Sequence, residues 1–231
     1  MKRINLVLIS VLFICSMGSF AQADMKETVD MIKTNLVQSK QKVKQYAWIE
    51  TTKVYIKGEL KTTKQNQCYY GVDGQLTKVA TGGTDQQKKS RGLKGKIVEN
   101  KKEEMADYVA KAVEKIKAYL PPEPEKIQQI YGAGKVSVQI LEPGKKFKLN
   151  FPEYLQPGDN LSISLDKANQ KLISLDVGTY IDKPEDKVIF NVTYKDLPDG
   201  TQYPVTTSLV ADAQNLKIVI ENSGYKKGAG Q

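Results

Sequence analysis

The sequence predicts an α+β fold: a strongly curved antiparallel sheet, an incomplete β-barrel, with helices packed in its concave face. Two observations carry this. Apolar residues recur every three to four positions in three segments and every second position in about ten others. The segments run helix, about three strands, basic loop, long helix, short helix and about seven strands, the last group divided by turn residues into an antiparallel meander. Ten strands from one chain form a sheet that has to curve, and three helices can cover one side of it.

The opening residues carry Lys2 and Arg3, an apolar run from about Leu6 to Ile14, and the ending Ala21-Gln22-Ala23. This is the three-part pattern of a secretory signal peptide, and its apolar run is too short to span a bilayer. Residues 1–23 are therefore expected to be a cleaved leader, 24–222 a single domain and 223–231 a disordered tail, with the mature protein in the periplasm. A lipoprotein signal acylated at Cys15 is the competing reading, but Ile14 stands where that processing wants a small residue. No later run is long and apolar enough for a membrane helix.

Composition narrows the chemistry. Only Cys68 follows the expected cleavage point, so no disulfide within the mature chain is expected, and the apolar core must hold the fold. There is no histidine, which removes the Ser-His-Asp and Cys-His nucleophile arrangements and the commonest transition-metal ligand. The net charge is +9, of which Lys2 and Arg3 supply two. Such an excess suits an anionic surface and also serves solubility.

In the segment from Asp24 to Tyr46, Val29, Ile32, Leu36 and Val43 fall at helical spacing, while Lys33, Gln38, Lys40 and Lys44 form the other side. After Tyr46 the period changes to two, with Gly58 and Asp73-Gly74 placed for hairpin turns. Gly82 to Gly95 reads as a polar, basic loop. A long helix follows from Ile97 to Leu120, stopped by Pro121-Pro122, and a short one begins at Pro124 and ends at Gly132. Strands fill the rest.

The stretch "YAWIETTKVYIKGELKTTKQNQCYYGVDG" has an unusually aromatic apolar face. Tyr46, Trp48 and Tyr55, with Tyr108, Val109, Ile116 and Tyr119 of the long helix, are candidates to line an apolar ligand cavity, the helix covering the strands. Their alternative role is to close an ordinary core. Lys88, Lys89, Arg91, Lys94 and Lys96 are candidates to meet an anionic membrane surface or an acidic partner. Nucleic acid is not expected of an exported chain without a nucleic-acid module. The carboxylates Glu50, Glu59, Glu103, Glu104, Asp182, Glu185 and Asp186 match no calcium-loop spacing, and the glycine pairs lack phosphate-loop spacing. No catalytic residue, cofactor or metal is expected.

Late in the chain, "TYKDLPDGTQYP" holds Tyr194, Asp199, Gly200, Tyr203 and Pro204 in an aromatic, Asp-Gly, Tyr-Pro pattern before a strand. Together with the helix leading into "YAWIETTKVYIKGELK", it resembles the LolA/LolB type of outer-membrane lipoprotein carrier over about residues 28 to 222. The chain is also similar to small exported bacterial proteins with no assigned role. The resemblance implies an open barrel lidded by helices around a cavity for acyl chains. The long basic loop and the long helix depart from that pattern. The expected function is a non-enzymatic carrier or binder of a lipid, lipoprotein or other apolar molecule. The main alternative is an envelope structural or interaction module with a filled core that binds an anionic partner through its basic loop, and a second is a hydrolase using carboxylates.

Overall fold

The computed structural model describes residues 17–85 and 93–228, with backbone alone for residues 17–26, 28, 29, 32, 85, 93–99 and 102. The chain opens with α1 (Met17–Val43), a single helix across the expected cleavage point, followed by β1 (Tyr46–Ile56), β2 (Glu59–Tyr70) and β3 (Leu76–Asp85). Two helices, α2 (Leu93–Lys117) and α3 (Pro124–Gly132), separate these from the meander. The meander comprises β4 (Ser137–Glu142), β5 (Lys146–Pro152), β6 (Asn160–Asp166), β7 (Lys171–Tyr180), β8 (Lys187–Asp196), β9 (Gln202–Ala211) and β10 (Leu216–Lys227). Among the described residues no helix is long and apolar enough to cross a membrane.

All ten strands belong to one open antiparallel sheet in the order β3-β2-β1-β10-β9-β8-β7-β6-β5-β4. Its continuity depends on the pairing of β1 with β10, from Tyr46 opposite Lys227 to Ile56 opposite Leu216. Strands β3 and β4 are the two edges, so the barrel stays incomplete, as the sequence predicts.

Three boundaries differ from the sequence reading. Strand β3 continues to Asp85, through the glycine pair expected in a loop. Gly83 has φ +145°, and a Cβ there would collide with the Thr63 carbonyl oxygen of β2, so this close approach of paired strands needs glycine. The long helix starts at Leu93 and ends at Lys117 rather than running from 97 to 120. Finally, β10 continues to Lys227, five residues past the end expected for the domain, because its last turn of chain pairs with β1 and carries Tyr225 into an aromatic cluster.

Period-two alternation sets the core. Leu149, Ile163 and Leu175 lie in one cross-strand row on β5, β6 and β7, and Phe147, Leu165 and Leu172 in the next. Helix α2 adds Ala112 and Ile116, and the turn after it Tyr119, beside α3's Ile127 and Ile130. Helix α1 packs Leu36 against this core, and among the described residues Asn35 Nδ2 donates to the Gln170 carbonyl at 2.8 Å and the Gln202 backbone N–H donates to Ser39 Oγ at 3.1 Å.

Candidate functional site

Helix α1 presents Lys33, Leu36, Val37 and Lys40 at i, i+3, i+4 and i+7, which places them on one face. That face does not close onto the sheet. Between it and the strands lies a cleft of about 290 Å³, whose floor is Leu149 of β5, Ile163 and Leu165 of β6, and Leu172 and Leu175 of β7. Ile127 of α3 and the Pro121-Pro122 turn complete the wall. The prolines hold this turn without offering a backbone donor to the cleft.

Aliphatic carbon therefore makes up nearly all of the lining, and among the described residues Lys33 and Lys40 are its only charged side chains. The volume sits at the lower end of the range for small-molecule sites, about 300 to 1,000 Å³. Val37 is 56% exposed, which puts it at the mouth. The floor continues to the sheet edge: Val138 pairs with Leu149 and Ile140 with Phe147, and these β4 side chains are 53% and 62% exposed. An extended apolar chain could leave the cleft along that strip.

None of the seven residues singled out as cavity lining borders this cleft. Ile116 and Tyr119 are buried in the core cluster, with Tyr108 packed against it, and Val109 is half-buried on the same helix. The Tyr108 hydroxyl donates to Asp186 Oδ1 at 2.6 Å, and burial together with that bond raises its pKa. Tyr119 donates to Asp159 Oδ2 at 2.5 Å, and its pKa is likewise pushed up, chiefly by burial. These phenols stay protonated and serve as ties.

The aromatic strand is covered by its own sheet, not by α2. Trp48 stacks on Tyr225 with centroids 5.6 Å apart and planes 10° apart, and Tyr70 approaches it at 6.0 Å. Tyr203 packs on Tyr225 at 4.4 Å. Tyr46 meets the same ring edge-on at 6.2 Å. Trp48 Nε1 donates to Asn222 Oδ1 at 3.1 Å, closing the group with a satisfied polar atom. Trp48→Phe is expected to cost about 1 kcal/mol of stability for that lost bond, and to leave binding in the cleft unchanged, as denaturant melts and ligand titrations would show. Tyr55 alternates with Val54 and Ile56 and so faces the other side of the sheet, beside Lys53 and Lys57.

The "TYKDLPDGTQYP" motif has a structural role here. It forms the β8–β9 hairpin, in which Tyr194 packs against the core and Gly200 takes a positive φ of 78°. Asp199 accepts from the Tyr46 hydroxyl at 2.6 Å and from the Thr201 backbone N–H at 3.0 Å, tying the hairpin to the start of β1. These bonds, that from Tyr46 first, hold the Asp199 carboxyl at a pKa of about 2, below the usual carboxylate value. A depressed folded pKa gives stability that is present above the unfolded value and lost as pH falls through the folded one. Tyr46→Phe is thus expected to flatten the stability profile between about pH 4 and pH 2, measured by urea melts across that range.

Lys88, Lys89 and Arg91 lie outside the described residues. Lys94 and Lys96 fall on the first turns of α2, where the backbone alone is described. Sequence reading missed the cleft's lysines as well as its floor. Lys33 and Lys40 read as the solvated side of α1, although each is three or four residues from Leu36.

No family model matches the chain, and no curated protein matches it. Two solved structures are similar to it. One is a DUF1329 family protein from Desulfovibrio piger, 9% identical, with 87% of this chain and 94% of that chain covered and a TM-score of 0.31. The other, from Vibrio parahaemolyticus, is described as an outer membrane lipoprotein-sorting protein domain; it is 11% identical, with 89% of this chain and 93% of that chain covered and a TM-score of 0.35.

Proposed function

We propose that this protein is a non-enzymatic binder of the apolar chain of a lipid or lipoprotein, acting as a carrier in the bacterial envelope. The chain would lie between α1 and the floor of β5, β6 and β7. The observation that carries this reading is the aliphatic cleft of about 290 Å³. Burial of each methylene contributes about 0.8 kcal/mol, with no need for a directional contact. Helix α1 would serve as the lid, held over the strands by the packing of Leu36 on the core and by the bonds of Asn35 and Ser39. The cationic residues from Lys88 to Lys96 would bring the carrier to an anionic membrane surface.

The test is a chain-length series. Uncharged fatty alcohols would be titrated against the protein loaded with the fluorophore N-phenylnaphthylamine. Affinity is expected to rise about tenfold for every two methylenes added, then level off once the cleft is full. An absence of fluorophore binding, together with no lipid in a solvent extract of the purified protein, would contradict the reading and favour a filled-core module.

A further inference from the structure

Among the described residues the apolar cleft carries two cations at its rim and no counter-charge. Lys33 and Lys40 stand two helical turns apart on α1, with Leu36 and Val37 between them facing the same space. The lining, among the described residues, contains no Asp or Glu. Among the described residues neither lysine takes part in an ion pair. Lysines on neighbouring strands are matched: Lys146 with Glu142, Lys148 with Asp176, and Lys171 with Asp196. The nearest acidic residues on α1, Glu27 and Asp30, are exposed and absent from the cleft lining.

We infer that the ligand of this cleft is an amphiphile whose acyl chain ends in an anionic group, a carboxylate or a phosphate, held at the rim by Lys33 and Lys40. The inference rests on the acyl-binding reading given above. A lysine lays its methylene stem along apolar surface and keeps its ammonium at the water boundary, which is where a head group would sit once the tail is buried. An anion there makes charge-assisted hydrogen bonds with a rim ammonium and is attracted by the second, whereas an uncharged head only displaces their water. The cleft would therefore select among ligands with the same tail by the charge of the head.

The experiment uses the uncharged fluorophore N-phenylnaphthylamine, displaced by three ligands of equal chain length below their critical micelle concentrations. These are palmitate, palmitoyl lysophosphatidylglycerol and the neutral monopalmitoylglycerol. The full-length protein is expected to bind at least one anionic ligand about tenfold more tightly than the neutral one, a preference that shrinks as salt is raised. Preference for palmitate alone identifies a carboxylate head, and preference for the lysophospholipid alone a phosphate. In Lys33→Gln/Lys40→Gln the preference should vanish while monopalmitoylglycerol still displaces the fluorophore, a result that loss of folding cannot mimic. Equal affinities in the unaltered protein, or a preference that survives the double substitution, would overturn the inference and leave acyl binding standing. Failure of all three ligands to displace the fluorophore would remove the acyl-binding reading, and the inference with it.

Discussion

Leu165→Phe combined with Leu172→Phe is expected to abolish acyl-chain binding while leaving the thermal midpoint unchanged or raised. Both leucines form the floor of the cleft, are almost wholly buried, and pair directly across β6 and β7. Phenylalanine adds volume on the open side, so the rings can extend into the cleft without displacing neighbours. Binding of a palmitoyl chain should fall at least tenfold, since several methylenes lose their place at about 0.8 kcal/mol each. A filled interior behaves oppositely. Forcing larger side chains into a packed core costs about 1 to 3 kcal/mol. One pair of measurements, a thermal melt and a ligand titration, separates the two. A clear drop in midpoint with unchanged titration would mean that the space between α1 and the sheet is not the binding site.

Asp159→Ala is expected to be among the most destabilising single substitutions. Asp159 is 3% exposed, and its Oδ2 accepts from the Tyr119 hydroxyl, the Leu155 backbone N–H at 3.0 Å and the Gln156 backbone N–H at 2.8 Å. Because the Tyr119 proton goes to Asp159, the Thr179 hydroxyl at 2.8 Å donates to Tyr119. The Gln156 amide in turn donates to Thr179 Oγ1 at 3.1 Å and to the Tyr180 carbonyl at 3.2 Å. The network joins the end of α2, the β5–β6 connection and β7, where few other polar contacts tie the helix down. Alanine leaves the buried Tyr119 hydroxyl and two half-buried backbone N–H groups without their acceptor, a loss of about 3 kcal/mol, or on the order of 10 °C in midpoint. Asp159→Asn should cost less, because an amide oxygen can occupy the Oδ2 position while its NH2 takes the place of Oδ1, which has no partner among the described residues. Wild-type stability in the alanine variant would show that the network does not hold α2.

The sheet and its helices were legible because their signals are local. The alternation in "NLSISLD" and "KLISLDVGTY" gives β6 and β7 and names their inward side chains before any contact is known. The Asp-Gly and Pro-Gly turns order the meander in the same way. What escaped is non-local. Nothing near Trp48 announces that its cover is Tyr225, because "GYKKGAGQ" has too few apolar residues to show a period and reads as a tail. The long helix has a broad apolar stripe that suits any sheet face, and it settled on the residues around Tyr154 and Val177 rather than on β1. The cleft is harder still to read, since a void is a property of how α1 sits over the floor. Its leucines look like every other core leucine. Lys33 and Lys40 look like solubility lysines, because a long stem lets a cation border apolar surface without leaving water.

The most direct measurement is photo-crosslinking with a fatty acid that carries a diazirine along its chain, followed by peptide mapping. Saturable labelling is predicted on the α1 peptide holding Leu36 and Val37 and on the β6 and β7 peptides holding Leu165 and Leu172. Monopalmitoylglycerol in excess should compete it away. Labelling concentrated on Trp48 and Tyr225, or labelling that never saturates, would contradict a binding cleft beneath α1.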